Sequence, residues 1–456
     1  MGSMKRKMIS DSLPGGRQEL RGMAKRQFVS FPFSDLYNIK QQVLDWSARF
    51  NTCCFLDNQL YPSEESSYEC LVAVGERARL LTSAGSAFEK LKSFSLAQDD
   101  WLFGHFSFDL KAETEHSPSR LPDRILFPDL FFFVPEIIVL IFPHEIQIGL
   151  FGNLHQSVWN EIEKKSPVRE KSTCSDLSVQ KRISREEYIR IVEKLRQHIL
   201  RGDCYEINYC QEFFLEGALM DPLEMYRSLN RKSPSPFAAY YSVDGNYLLC
   251  ASPERYLKKT GDRILSQPMK GTTARDLKDP IRDASLKAAL ASSEKDKAEN
   301  VMVVDLVRND LSKICETDTV RVSELFGVYS FPQVHQMIST IVGKPLSALN
   351  WTEMIALTFP MGSMTGAPKQ RVLELIEQYE KTRRGLFSGA LGYVKPNRDF
   401  DFNVVIRSML YNTSTNYLAY FAGSGITVNS DPEQEYEECL LKVAAFESII
   451  KNPSSI

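Results

Sequence analysis

Several features that would give a quick answer are missing from this chain. Its 456 residues carry no large charge excess: the formal net charge is −3 at pH 7. That argues against nucleic-acid binding, which needs a basic face or arm. Histidine is scarce, with six scattered residues, so a histidine-rich zinc site is not expected. The nine cysteines form no C-x-x-C pair, and Cys53 and Cys54 are adjacent. An odd count without a secretion signal reads as reduced thiols in a cytoplasmic protein. Long hydrophobic runs are also lacking. The most apolar stretch, LFFFVPEIIVLIF at 130–142, is interrupted by Pro135 and Glu136. It is too short and too broken for a membrane span and suits two buried strands. The opening MGSMKRKMISDSLPGG is basic but has no apolar core segment, so residues 1–25 are expected to be a disordered leader or tag remnant rather than a signal peptide.

What remains is ordinary globular composition, 43% hydrophobic and 25% charged. Residues 26–163 are rich in aromatics and short apolar runs and read as a β-rich N-terminal region. Residues 164–183 are polar and weakly patterned, a linker or mobile loop. Residues 184–452 read as the catalytic region. It opens on a helix, with Ser184 and Glu187 as a capping box, Tyr188, Ile191, Val192, Leu195 and Ile199 on one apolar face, and Gly202 as the stop. NYLLCASPERYLKKTGDRILSQP reads as two strands joined at Gly261-Asp262, and SSEKDKAENVMVVDLVRNDL as a helix. Strands and helices mix without a regular βαβ rhythm, which favours α+β.

Candidate chemistry is spread along the second half. In DPEQEYEECLLKV, Asp431 is a natural helix cap, and Glu435, Glu438 and Lys442 then share one face. Two carboxylates one turn apart suit a hard cation such as Mg²⁺, and equally suit a solvated acidic surface. Gly423 and Gly425 in FAGSGITVNS let a backbone approach a ligand, or simply form a turn. Thr365-Gly366 precedes a helix start, a generic anion site that does not match a Walker A loop. Arg407 in VVIRSM places a charge in an apolar strand, where it needs a carboxylate from the protein or from a ligand. His335, Glu299, Glu254 and Lys270 would each pass alone as core or surface residues. A lysine is ordinarily protonated at neutral pH and becomes a nucleophile only where its surroundings favour the neutral amine.

Taken in order, GDCYEINY, SPERY, PMKGT, DKAENVMVVDLVRNDL, PQVHQMIST, GSMTGAPK, VVIR and AGSGITVNSDPEQEYEE resemble the core of the chorismate-utilising enzymes. The resemblance is dense over 184–450 and general before it. It implies large antiparallel sheets in a two-layered sandwich flanked by helices. It further implies that Glu299 and Glu438 hold Mg²⁺, with Glu435 acting directly or through water. Arg407, Tyr393 and the backbone at Gly423 and Gly425 would clamp the enolpyruvyl carboxylate, with Lys442 nearby. His335, Thr365 and the Gly271-Thr272 turn would line the ring.

Branches of the family differ at the position of Lys270. Most carry alanine in a P-[IL]-A-G-T motif. The branch that aminates chorismate at C4 carries lysine, as in PMKGT here. The resemblance therefore implies conversion of chorismate and ammonia to 4-amino-4-deoxychorismate. Lys270 would add at C2 and Glu254 would protonate the departing C4 hydroxyl, while Mg²⁺, Arg407 and Lys442 would push Lys270 towards neutrality. No G-x-C-x-G elbow is present, so a glutamine amidotransferase subunit is expected to supply ammonia in trans. The alternatives are anthranilate synthesis in the same pocket, a catalytically silent chorismate-binding subunit, and a pyridoxal-phosphate lysine. The LLES stretch typical of tryptophan-inhibited anthranilate synthases is replaced by CFLDNQ at 54–59.

Overall fold

The computed structural model describes residues 25–451 apart from 62–64, 66–67, 165–177 and 332. Nearly all of the expected leader, and most of the expected linker, lie outside the described residues. Two antiparallel sheets carry the architecture, one of 12 strands and one of 10. The alternation of side chains along the strands explains why they stack. In Cys53–Asp57, Cys54 joins a core with Phe103, Phe131 and Phe402 of the other sheet, whereas Cys53 and Phe55 belong to a second core under helices. A period of two thus buries both faces of the strand.

The first core lies between the sheets and is dense in aromatic rings, among them Phe106, Phe132, Trp351 and Phe402. The second lies between the 12-stranded sheet and helices that include Leu36–Ser47, Arg185–Leu200, Pro222–Lys232 and Pro432–Lys451. This is the α+β sandwich flanked by helices expected from the sequence. The broken apolar stretch forms two strands, Leu130–Val134 and Ile137–Ile141. Among the described residues no helix is long and apolar enough to cross a membrane. The early and late parts of the chain share both sheets: Cys53–Asp57 pairs with Phe237–Val243, and Leu102–Phe106 with Ala390–Val394.

Of the expected capping box at Ser184 and Glu187 the Ser184 half forms, while the Glu187 carboxylate pairs with Lys381 instead. Ser184 Oγ accepts the Glu187 N–H at 3.2 Å, and Asp431 Oδ1 accepts those of Glu433 and Gln434 at 3.0 Å. Each cap satisfies donors that a helix start leaves free.

Two strands end earlier than their apolar patterns suggest. Residues 246–267 form three strands rather than two, because the chain changes sheets at Ser252-Pro253-Glu254. Asn246–Ser252 belongs to the 12-stranded sheet and Arg255–Thr260 to the other. Pro253 has no N–H for a ladder, which suits a strand end. The return crossing lies between Phe400–Val404 and Ser408–Asn412. Arg407, expected within a strand, sits in that crossing with φ +48°. These two crossings place the residues that matter most below.

Candidate active site

The strand Met269–Ala274 pairs with Val334–Gly343, but Met269 faces Ile338 while Thr272 faces Gln336. The extra residue is absorbed at Lys270-Gly271, where Gly271 takes φ +84°. A bulge of this kind re-aims a side chain. Here Lys270 Nζ donates to Glu206 Oε1 at 3.0 Å. Glu206 opens the strand Glu206–Leu215 and is almost fully buried. The approach depends on Gly425, because a Cβ there would collide with both the Glu206 carboxyl and the Lys270 amine.

This pairing sets what the protein's own charges do to Lys270, apart from any metal ion. Cationic neighbours were to push Lys270 towards neutrality. Burial does act in that direction, but the carboxylates of Glu206, Glu299 and Glu438 outweigh it and hold the ammonium above its ordinary value. Arg407 is not among the main influences on it, and Lys442 is occupied elsewhere: its Nζ pairs with Glu438 at 2.7 Å and donates to the Gly423 carbonyl at 2.8 Å.

Glu254 and Arg407 come from the two sheet crossings. Glu254 is 5% exposed, and burial pushes its carboxyl up to about 7, against the opposing pull of a Ser363 hydrogen bond and the charges of Lys270 and Arg407. A carboxyl poised there can be a proton donor at neutral pH. The Arg407 guanidinium makes no hydrogen bond or ion pair with the described residues, and burial lowers it, opposed by Glu254 and Tyr61. A half-buried guanidinium without a planar acceptor suits an incoming carboxylate.

The acidic residues divide. Glu299 lies on the helix Glu294–Ser312, and Glu438 on Pro432–Lys451. Both feel Lys270 and Lys295. Burial raises Glu299, whereas Lys442, Lys270 and Lys295 together overcome burial and hold Glu438 low. Glu435 turns inward and its carboxylate accepts from Ser424 Oγ. Among the described residues no group of three or more acidic, histidine or cysteine side chains is arranged to hold a metal ion by itself. Glu299 and Glu438 remain as two oxygen donors from facing elements, which fits Mg²⁺, an ion that takes one or two carboxylates and completes its shell with water and substrate oxygens.

Other expected residues divide between supporting and distant positions. Gly423 is required by the sheet, since a Cβ there would strike the Tyr209 carbonyl. Thr365 is fully buried, and its hydroxyl donates within its own turn to Met361 O at 3.1 Å. His335 lies opposite Thr273, with its ring nitrogens 3.1 Å from Asp283 Oδ1 and 3.0 Å from Ser330 Oγ. Thr272 is exposed beside the bulge. Tyr393 stands apart from the Lys270 cluster. It packs on Trp101 and Phe103 and lines a separate cavity with Leu71, Phe237 and Asp401, and none of its partners belongs to the Lys270 cluster.

Residues 54–448 match the family described as chorismate binding enzymes. The chain belongs to that family. It is similar to the aminodeoxychorismate synthase component 1 of Klebsiella aerogenes, 34% identical over 75% of this chain and 75% of the relative. It is also 40% identical to a probable aminodeoxychorismate synthase of Oryza sativa subsp. japonica, over 59% of this chain, and spans only 30% of that longer protein. In fold it is similar to the menaquinone-specific isochorismate synthase of Escherichia coli, with a TM-score of 0.73, 18% identity and coverage of 95% and 96% of the two chains.

Two neighbours of this chorismate-family site escaped the sequence reading. Glu206 sits inside GDCYEINY, but an alternating strand gives no sign of which residue meets a lysine 64 positions away. Tyr61 lies in the irregular segment after Cys53–Asp57, with its hydroxyl donating to Pro234 O at 2.8 Å and its ring beside Phe331. Loop residues placed by tertiary contacts leave no periodic signal.

Proposed function

We propose that this chain converts chorismate and ammonia to 4-amino-4-deoxychorismate, in the route to 4-aminobenzoate and folate. One observation carries the reading: a bulge presents Lys270, half-buried against the Glu206 carboxylate, and the buried Glu254 carboxyl, pushed up to about 7, lies within its electrostatic reach. Relatives named aminodeoxychorismate synthase support it. The name component 1 supports a separate glutamine amidotransferase as the ammonia source. Eight buried free cysteines among the described residues are in keeping with a cytoplasmic location.

Each residue then has a role. Arg407 receives a carboxylate of chorismate. Glu299 and Glu438 would hold Mg²⁺, with Glu435 supporting from behind through Ser424 and Lys442 restraining Glu438. Bound there, the ion would neutralise the two carboxylates and fix the ring carboxylate of the substrate. Lys270, as the free amine, bonds to C2 while the ring double bonds shift and the C4–O bond breaks. Glu254 gives its proton to the departing oxygen, which leaves as water. Ammonia adds at C4, the double bonds shift back and the C2–N bond breaks to free the lysine. Gly271 and Gly425 set the close backbone approach beneath the ring, and Gly423 keeps the strand beside it in register. His335, Thr272 and Thr365 hold the surrounding turns.

Incubation of the purified chain with chorismate, Mg²⁺ and ammonium, followed by product analysis, tests the reading. Appearance of 4-amino-4-deoxychorismate is expected. Anthranilate as the product, or unreacted chorismate, would overturn it.

A further inference from the structure

The hydrogen bond between Lys270 and Glu206 has an unusual feature for a structural ion pair. Glu206 Oε1 accepts from Lys270 Nζ at 3.0 Å, but Glu206 Oε2 is buried and has no hydrogen-bond partner. Lysine is the sole side chain or backbone group that anchors this carboxylate among the described residues. Pairs kept for stability gain by satisfying every oxygen, because each bare one retains its desolvation penalty. The buried Arg384–Glu380 pair of the same protein shows the contrast: Glu380 Oε1 and Oε2 both accept from the guanidinium, at 2.7–3.2 Å, and Oε1 also takes the Cys210 N–H.

Space for the Glu206–Lys270 contact is also specific. Glu206 is fixed by its backbone, which pairs with Ala367. Lys270 is aimed by the bulge. Gly425 leaves the gap in which the two meet, since any Cβ there would enter the contact. Three separate backbone devices converge on one hydrogen bond.

We propose that Glu206 is the positioning residue of Lys270: it holds the amine at its point of attack, accepts its proton as the C2–N bond forms, and returns the proton when that bond breaks. This rests on the reading of Lys270 as a nucleophile towards chorismate. The balance is complete within the site. One proton of the ammonium passes to the Glu206 carboxylate, leaving the Nζ lone pair free to bond C2. The electron pair displaced through the ring leaves with the C4 oxygen, which takes the proton of Glu254. When ammonia has added at C4 and the lysine departs as the neutral amine, the Glu206 carboxyl restores its proton. The unpartnered Oε2 offers the carboxyl a second place to carry that proton while Oε1 stays at the amine.

The test compares wild type, Glu206→Gln, Lys270→Ala and the double variant. Two readouts are used: steady-state amination, and the mass of the intact protein after mixing with chorismate and Mg²⁺ without ammonium. Glutamine keeps the shape and an acceptor but cannot take the proton. Glu206→Gln is expected to lower kcat at least tenfold with the KM for chorismate within twofold, and to remove the covalent Lys270 adduct that wild type accumulates. In the Lys270→Ala background it should add no further loss. Should Glu206→Gln fail to fold, Glu206→Asp, which keeps the charge but withdraws it from Nζ, is expected to act in the same direction. Adduct and amination both persisting in the Glu206 variants would overturn the inference, as would absence of any wild-type adduct. A wild-type adduct that yields a product not aminated at C4 would instead overturn the functional reading and leave the Glu206 effect on adduct formation as its own result.

Discussion

Glu254 and Arg407 stand on adjoining crossings between the two sheets, tied through the backbone. The Glu254 carbonyl accepts the Val404 N–H at 3.0 Å, and the Arg407 carbonyl accepts the Ala251 N–H at 3.1 Å. Glu254 and Arg407, the proposed proton donor and anion receptor, therefore share one rigid frame. Placing functional groups where strands change sheets leaves the sheet ladders intact and frees the backbone to turn side chains towards a cleft. Frames of this kind hold reacting groups to the tolerance that catalysis requires.

On the proposed role, Glu254 is expected to set the basic side of the pH dependence. Burial raises its carboxyl to about 7, so the protonated form that donates to the leaving oxygen is lost as the pH rises through that value. The same shift has a stability consequence. With the folded value above the unfolded one, the stabilisation is fully present below the unfolded value and is lost as the pH rises through about 7. Glu254→Gln is expected to lower amination by about 100-fold or more. Its thermal midpoint should gain on that of wild type between pH 5 and pH 8, by on the order of a few kcal/mol in stability. Thermal unfolding across that range checks the second statement independently of activity.

Arg407 trades stability for binding. Its half-buried guanidinium makes no hydrogen bond or ion pair with the described residues, so Arg407→Met is expected to leave the fold as stable as wild type or more stable by up to about 1 kcal/mol. The same change should raise the KM or Kd for chorismate strongly. Calorimetric titration with chorismate, alongside unfolding, reads both effects, and a destabilised variant would contradict the account.

The two glycines of the strand Tyr417–Ile426 should respond differently. Gly425→Ala pushes a methyl into the Glu206–Lys270 contact, so kcat should fall by about tenfold or more while the sheet survives. Gly423→Ala drives a methyl into the Tyr209 carbonyl in the middle of a strand pair and should destabilise the whole protein by about 2 kcal/mol or more. Kinetics and thermal midpoints for the pair separate a site glycine from a sheet glycine.

Much of this was legible in the sequence. Ordered motifs identified the family-like core, and strand alternation with capping residues marked most elements. Glu254, Glu299 and Glu438, far apart in the sequence, each lie within electrostatic reach of Lys270. The failures share a cause. Arg407 looked like a strand residue because the apolar run VVI continues up to it, and a change of sheet leaves no mark in hydrophobic periodicity. Tyr393 sits in an apolar strand whose facing is set by its register with Leu102–Phe106. The charge environment of Lys270 depends on Glu206, a contact across 64 residues that the sequence does not display. Glu435 and Glu438 share a helix face by spacing, yet Ser424 draws the first inward.

Divalent cation should stabilise the chain by mass action. Mg²⁺ is expected to raise the thermal midpoint of wild type, with little effect on Glu299→Gln or Glu438→Gln, and chelation should abolish amination. Equal stabilisation of all three proteins would show that the ion binds elsewhere.

The most direct measurement is product analysis of wild type and Lys270→Ala given chorismate, Mg²⁺ and ammonium, with each variant confirmed folded. Wild type is predicted to form 4-amino-4-deoxychorismate, and Lys270→Ala to lose about 100-fold or more of that amination. An unimpaired Lys270→Ala enzyme, or a wild type that makes a different product from chorismate, would contradict the assignment of Lys270 as the nucleophile.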